Sequence, residues 1–179
     1  MADKEDISCK KYQIADQEYS RLHEFLDNFP YMIMIILGAA VLFMGFETLI
    51  WKWVTSGLYL LYGVIGAVWI ILFVCPYCHF FDTRLCPCGY GKIAAKFRQK
   101  KDDSLFTRKF KNHIPVIVPL WIIPTVAGIV FLISKFSIWI LVLLALFAIN
   151  SYILLPLIST KYGCTHCPQK DKCPWMKYK

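Results

Sequence analysis

From Cys75 to Gly91 the chain reads CPYCHFFDTRLCPCGYG, and near its end it reads CTHCPQKDKCPW. Cys75, Cys78, Cys86 and Cys88 fall in the first stretch, and Cys164, Cys167 and Cys173 in the second; the remaining cysteine is Cys9. Cys75-x-x-Cys78 and Cys164-x-x-Cys167 have the two-residue separation that lets one short turn aim two thiolates at one ion. Cys86-Pro87-Cys88-Gly89 is tighter, and its proline and glycine keep a helix from forming through the ligands. Cys173-Pro174 has the Cys-Pro ending found in iron–sulfur ligand runs. An isolated cysteine is most often a small buried hydrophobe. That reading suits Cys9 but not seven thiols gathered with proline and glycine.

Four nitrogen or sulfur donors satisfy a zinc ion, and four thiolates satisfy an iron–sulfur cluster. Seven clustered cysteines exceed one such site and fall one short of two all-thiolate sites, so His79, His166 or Cys9 is expected to supply a further ligand. The expected arrangement is a loop site of Cys75, Cys78, Cys86 and Cys88, with Cys164, Cys167 and Cys173 joining a second. Pairing across the two segments is the alternative. The Cys-Pro steps and the surplus cysteines favour an iron–sulfur cluster over zinc.

The string Cys75-Pro76-Tyr77-Cys78 resembles the active-site motif of glutaredoxins over those four residues. The resemblance implies thiol–disulfide exchange by a cysteine activated at a helix N-terminus. Glutaredoxins carry the motif in a soluble α/β fold, whereas here it follows an apolar run. Four-span thiol oxidoreductases are a related comparison, but their reactive cysteines work with the oxidising side of the membrane. Thiol exchange therefore ranks below metal binding.

Elements that cross a bilayer must position these thiols. The 179-residue chain is 58% hydrophobic, and that excess lies in blocks to be measured against the roughly 20 residues that span hydrocarbon. Residues 31–51 contain one charge, Glu47, while 57–74, 114–134 and 136–158 contain none. Buried soluble helices rarely stay apolar on every side for so long. Glu47 is expected to reach the interface and pair with Lys52. Residues 15–29 carry Tyr19, Leu22, Leu26 and Phe29 at helical spacing, which predicts an amphipathic helix. Ile93, Phe97, Leu105, Phe106 and Phe110 mark two short basic loop helices, the second capped by Asp103 or Ser104. Asn150 and Ser151, in the inner half of the fourth span, are expected to bond to a neighbouring helix. The acidic, polar start MADKEDISCKKYQ is unlike a cleavable signal, which makes the first span the expected insertion signal.

Lys and Arg number nine in 75–113, five after Ile158 and four in the first thirty residues, against only Lys52 and Lys135 in the two opposite turns. This asymmetry places both termini and the long loop in the cytosol. The net charge of +8 then suits anionic headgroups and needs no nucleic acid partner. All eight cysteines would face a reducing compartment, where clustered thiols mean metal or redox chemistry more often than disulfides.

The expected fold is an all-α integral membrane protein of four transmembrane helices. A cytosolic Cys-rich metal-binding cap is formed by the 75–113 loop and the tail. Its parts are an N-terminal segment (1–30), the transmembrane domain with its loop (31–158) and the tail (159–179). The expected function is electron transfer at the cytosolic face, as a small iron–sulfur subunit or accessory protein of a membrane oxidoreductase, with redox subunits and the bilayer as partners. The alternatives are a zinc-stabilised interaction protein without redox activity, or a membrane protein handling thiol–disulfide exchange or soft metals. There is no nucleotide-binding loop, no Ser/His/Asp arrangement and no catalytic carboxylate pair. No catalytic residue is assigned.

Overall fold

The computed structural model describes residues 20–164, which are mostly helical and contain no strand. Helix α1 is Arg21–Gly45, α2 Leu49–Phe73, α3 Tyr90–Ala95, α4 Phe106–His113, α5 Pro119–Ser134, α6 Ile138–Ala148 and α7 Leu155–Ile158. Short 3₁₀ turns extend α2 (Cys75–Tyr77) and lead into α4 (Asp103–Leu105) and α5 (Ile114–Val116). A π-helical segment, Ile149–Leu154, joins α6 to α7, and a second, Ser159–Cys164, follows α7. The resulting four rods, Arg21–Gly45, Leu49–Tyr77, Asp103–Ser134 and Ile138–Lys161, are long and apolar enough to cross a membrane. Their outward faces carry exposed Ile, Leu, Val, Phe and Trp, as expected where lipid is the solvent.

The first span lies closer to the N-terminus than residues 31–51. Gly45 ends α1, Phe46 turns extended, and Trp51 belongs to α2. An apolar run carries no mark of where it bends, so the Gly45–Thr48 break reads as helix in the sequence. Glu47 consequently lies in the connecting turn, and its carboxylate pairs with Lys135 in the turn between α5 and α6 rather than with Lys52. Lys52 instead stands 5.6 Å from the Phe43 ring centroid. Residues 21–29 run unbroken into α1, with Leu22, Leu26 and Phe29 exposed. The expected cap at Asp103 or Ser104 falls instead on Asp102, which caps the 3₁₀ turn leading into α4 and accepts from Ser104 N–H at 2.9 Å.

Helix α1 forms the core of the bundle, packing against α2, α5 and α6. Met34, Ile35, Ala39 and Leu42 meet Tyr59, Leu120, Phe147 and Leu155 in the main cluster. Between these rods, side chains serve carbonyls that proline leaves without a donor. Pro124 removes the N–H that Leu120 O would accept in an α-helix, and Tyr59 hydroxyl donates to that carbonyl at 2.7 Å. Pro119 leaves Val116 O without its 3₁₀ partner, and Tyr62 hydroxyl donates there. In π-helical register Ser151 O faces Pro156, and Trp121 Nε1 donates to it at 3.2 Å. Asn150 Nδ2 donates to Pro30 O at 2.9 Å, the bond between the fourth span and a neighbour that its polar type called for.

Tyr59→Phe strands Leu120 O in the core and is expected to lower stability by about 1–3 kcal/mol. Tyr152→Phe removes a hydroxyl half-exposed on the outer face and is expected to cost less than about 1 kcal/mol. Unfolding of the two variants in the same detergent checks the contrast, and equal losses would count against this account.

Candidate metal centre

The cysteine loop begins where α2 runs out. Cys78 N–H returns to Cys75 O at 3.0 Å, and Phe81 N–H to Cys78 O at 3.1 Å, so the chain turns twice directly beyond the span. Phe81 packs with Ile71 of α2 and Ala94 of α3 in a small second core, against which Cys75 and Tyr90 also lie. Two glycines set the path back. Gly89, at φ +70°, turns the chain into α3 through a left-handed conformation open to glycine. A Cβ at Gly91 would stand 2.7 Å from Phe80 O, so only glycine lets the two strands of the loop touch.

Cys86 is buried, while Cys75, Cys78 and Cys88 are half-buried, and none forms a disulfide. The Cys88 thiol hydrogen-bonds to Cys86, and the backbone N–H groups of Gly91, Cys88 and Gly89 also point at that sulfur, Gly91 at 3.4 Å. These donors outweigh burial and bring the Cys86 thiol down to about 7. Cys88 moves the other way. Its thiol is pushed up because it donates to Cys86, because its sulfur is withdrawn from water, and because Cys86, Asp27 and Cys75 repel a charge there. Cys86 is thus the more acidic thiol of the two and Cys88 the one that holds its proton longer, with Cys75 within electrostatic reach.

Helix α1 covers this pair, which the sequence did not reveal. The Asp27 carboxylate lies beside the Cys88 thiol. Asn28 Nδ2 donates to Cys88 O at 3.0 Å and to Glu24 O at 2.7 Å. A Cβ on Gly89 would meet the Glu24 carboxyl at 3.1 Å. Glu24, Asp27 and Asn28 share one helical face by their i, i+3, i+4 spacing, and that spacing was the available signal. The same residues also read as the solvated face of an amphipathic helix.

His79 sits away from this pair, with Nδ1 3.2 Å from Asp103 Oδ2; Lys100 Nζ approaches the same oxygen at 3.9 Å. His113 accepts from Trp69 Nε1 at 3.2 Å and stacks on Phe73. Cys164 ends the helical segment Ser159–Cys164, which runs beside α1. Cys167, Cys173 and His166 lie outside the described residues. Among the described residues no three His, Cys, Asp or Glu side chains stand close enough to hold an ion without rearrangement. The donors Cys75, Cys78, Cys86 and Cys88 nevertheless suit a soft metal chemically. One of them, Cys86, has its thiol shifted toward ionisation, and its sulfur accepts amide hydrogen bonds of the kind that tune metal thiolates.

No family model matches the chain, and no curated protein or solved structure does either.

In metal-free protein, the thiolate absorbance lost in Cys86→Ser is expected to titrate with a midpoint of about 7. A donor that stabilises the anion lowers the midpoint, so Cys88→Ala is expected to raise it toward the ordinary thiol value of 9.0. An unchanged midpoint in Cys88→Ala would remove Cys88 from the account of Cys86.

Proposed function

We propose that this chain is a membrane-anchored metal protein carrying electrons at the cytosolic face. In this reading it is a small iron–sulfur subunit or accessory protein of a membrane oxidoreductase. Cys75, Cys78, Cys86 and Cys88 are the ligands of a loop site, and Cys164, Cys167 and Cys173 of the tail join a second. The observation that carries the reading is the environment of Cys86: a sulfur poised as thiolate, held by backbone amides, with Cys88 and Cys75 nearby, directly beyond a span. An iron–sulfur cluster, when bound, supplies one-electron chemistry. The chain's own residues fix the depth of the ligands, shield them with Phe80 and Phe81, and donate amide hydrogen bonds to sulfur. The basic 75–113 loop gives an electron donor of acidic surface a complementary face.

The alternative keeps the ligands, makes the metal zinc, and makes its role the ordering of loop and tail for a binding partner. The compact packing of Ile71, Phe81 and Ala94 beside Cys75 favours it, because a loop that is already ordered suits a docking surface.

Protein purified without oxygen in detergent is expected to carry about four or eight irons with matching acid-labile sulfide. It should show a broad visible band that bleaches with dithionite and is lost in Cys75→Ser and Cys86→Ser. One or two zincs in a colourless sample, roughly the ligand capacity of the cysteines, would replace electron transfer with the structural reading. Protein that takes up neither metal would overturn both.

A further inference from the structure

Phe73 ends α2 and Tyr77 ends the 3₁₀ turn that extends it, so their rings lie where the second membrane-spanning rod ends. Three cations gather over those rings. Arg98 Cζ stands 5.6 Å from the Phe73 centroid, while Lys101 Nζ and Lys109 Nζ stand 5.4 and 5.5 Å from that of Tyr77. Two segments bring them together: Lys101 N–H donates to Pro76 O at 2.8 Å, and α4, which carries Lys109, packs against α2. A ring face attracts a cation through its quadrupole but has no net charge, so it does not neutralise them. The carboxylates in the same stretch are engaged elsewhere, Asp102 with Ser104, and Asp103 with His79 and Lys100. The ion pairs found among the described residues include none of the three cations. Like charges collected without a counter-ion repel one another, so an anion among them stabilises the cluster.

We propose that Arg98, Lys101 and Lys109 bind the phosphate of an anionic phospholipid in the leaflet on this side of the membrane. Depth favours a lipid over a soluble anion, because the end of a span lies among the headgroups, where each Lys or Arg attracts anionic lipid. The neighbouring residues favour it too. Phe97 and Leu105 are exposed beside the cations and offer the acyl chains an apolar contact. The site is confined to the cations held over the two rings, so position rather than net charge decides binding. Its occupation does not require metal at the cysteine loop.

The full-length chain in non-ionic detergent is titrated with dioleoyl phosphatidylglycerol, and bound lipid is counted by mass spectrometry of the intact complex. Phosphatidylglycerol is expected to bind more tightly than phosphatidylcholine, whose choline cancels the phosphate charge. Glycerol phosphate, the headgroup without chains, is expected not to displace it. Arg98→Gln and Lys101→Gln, both at exposed positions, are each expected to weaken phosphatidylglycerol binding about fivefold. Arg98→Lys with Lys101→Arg keeps both charges and is expected to retain binding, which separates a lost site from a lost fold. Lys96→Gln with Lys111→Gln removes as much charge from exposed lysines that stand over neither ring, and is expected to cost less than Arg98→Gln with Lys101→Gln. Equal losses in those two double variants would overturn the site in favour of a diffuse basic surface. Phosphatidylcholine binding as tightly, or displacement by glycerol phosphate, would overturn the lipid assignment. Binding unchanged in Arg98→Gln with Lys101→Gln would also overturn it, and would leave these cations to an acidic protein partner.

Discussion

Inside hydrocarbon no water is available to a stranded peptide group, so each carbonyl released by proline must find a donor in the protein. This chain places prolines in all four rods and, at three of the released carbonyls, supplies the donor from a side chain on an adjacent rod. Tyr59 and Tyr62 of α2 serve carbonyls at Leu120 and Val116 of the third rod, and Trp121 of the third serves Ser151 of the fourth. Each bond also fixes the position of one helix relative to the next. Rods whose lipid-facing sides are nearly featureless thereby acquire a definite register. Tyrosine and tryptophan suit this task because their apolar bodies fill the gap while a single polar atom reaches the backbone.

Helix α1 connects that frame to the cysteines. Its middle packs into the bundle through Met34, Ile35 and Leu42, while its first turns bring Glu24, Asp27 and Asn28 against Cys88 and Gly89. The loop is therefore held from two sides, by the end of α2 that leads into it and by the polar face of α1. Its own backbone contributes the donors that lower the Cys86 thiol, with glycine at the two positions where the turn requires it.

The four spans were legible because a run of some twenty residues without charge has few other uses. The bend at Gly45–Thr48 was not, since both sides of it are apolar, and Glu47 was accordingly assigned a partner in its own hairpin instead of Lys135. The cysteine cluster was visible from type and spacing alone. Its cover was not: Asp27 lies far from Cys88 in sequence, and nothing local distinguishes a carboxylate facing water from one facing a thiol. The Asn150 contact was half visible, its polar type marking a helix partner without indicating that the partner is Pro30. Long-range pairing of polar groups is decided by how rods are arranged, and periodicity within one rod carries no record of it.

The bond from Asn150 to Pro30 O joins the first rod to the last across 120 positions of chain. A protein made from its N-terminus inserts α1 early, but this clasp forms only after the fourth rod has arrived. Pro30 lies less than one turn from Asp27 and Asn28, so the residues covering Cys88 take their final setting late in biogenesis. The loop thiols are synthesised well before that moment and pass through an interval in which their cover from α1 is not yet clasped. The cover over Cys88 therefore depends on the last rod as well as on the first.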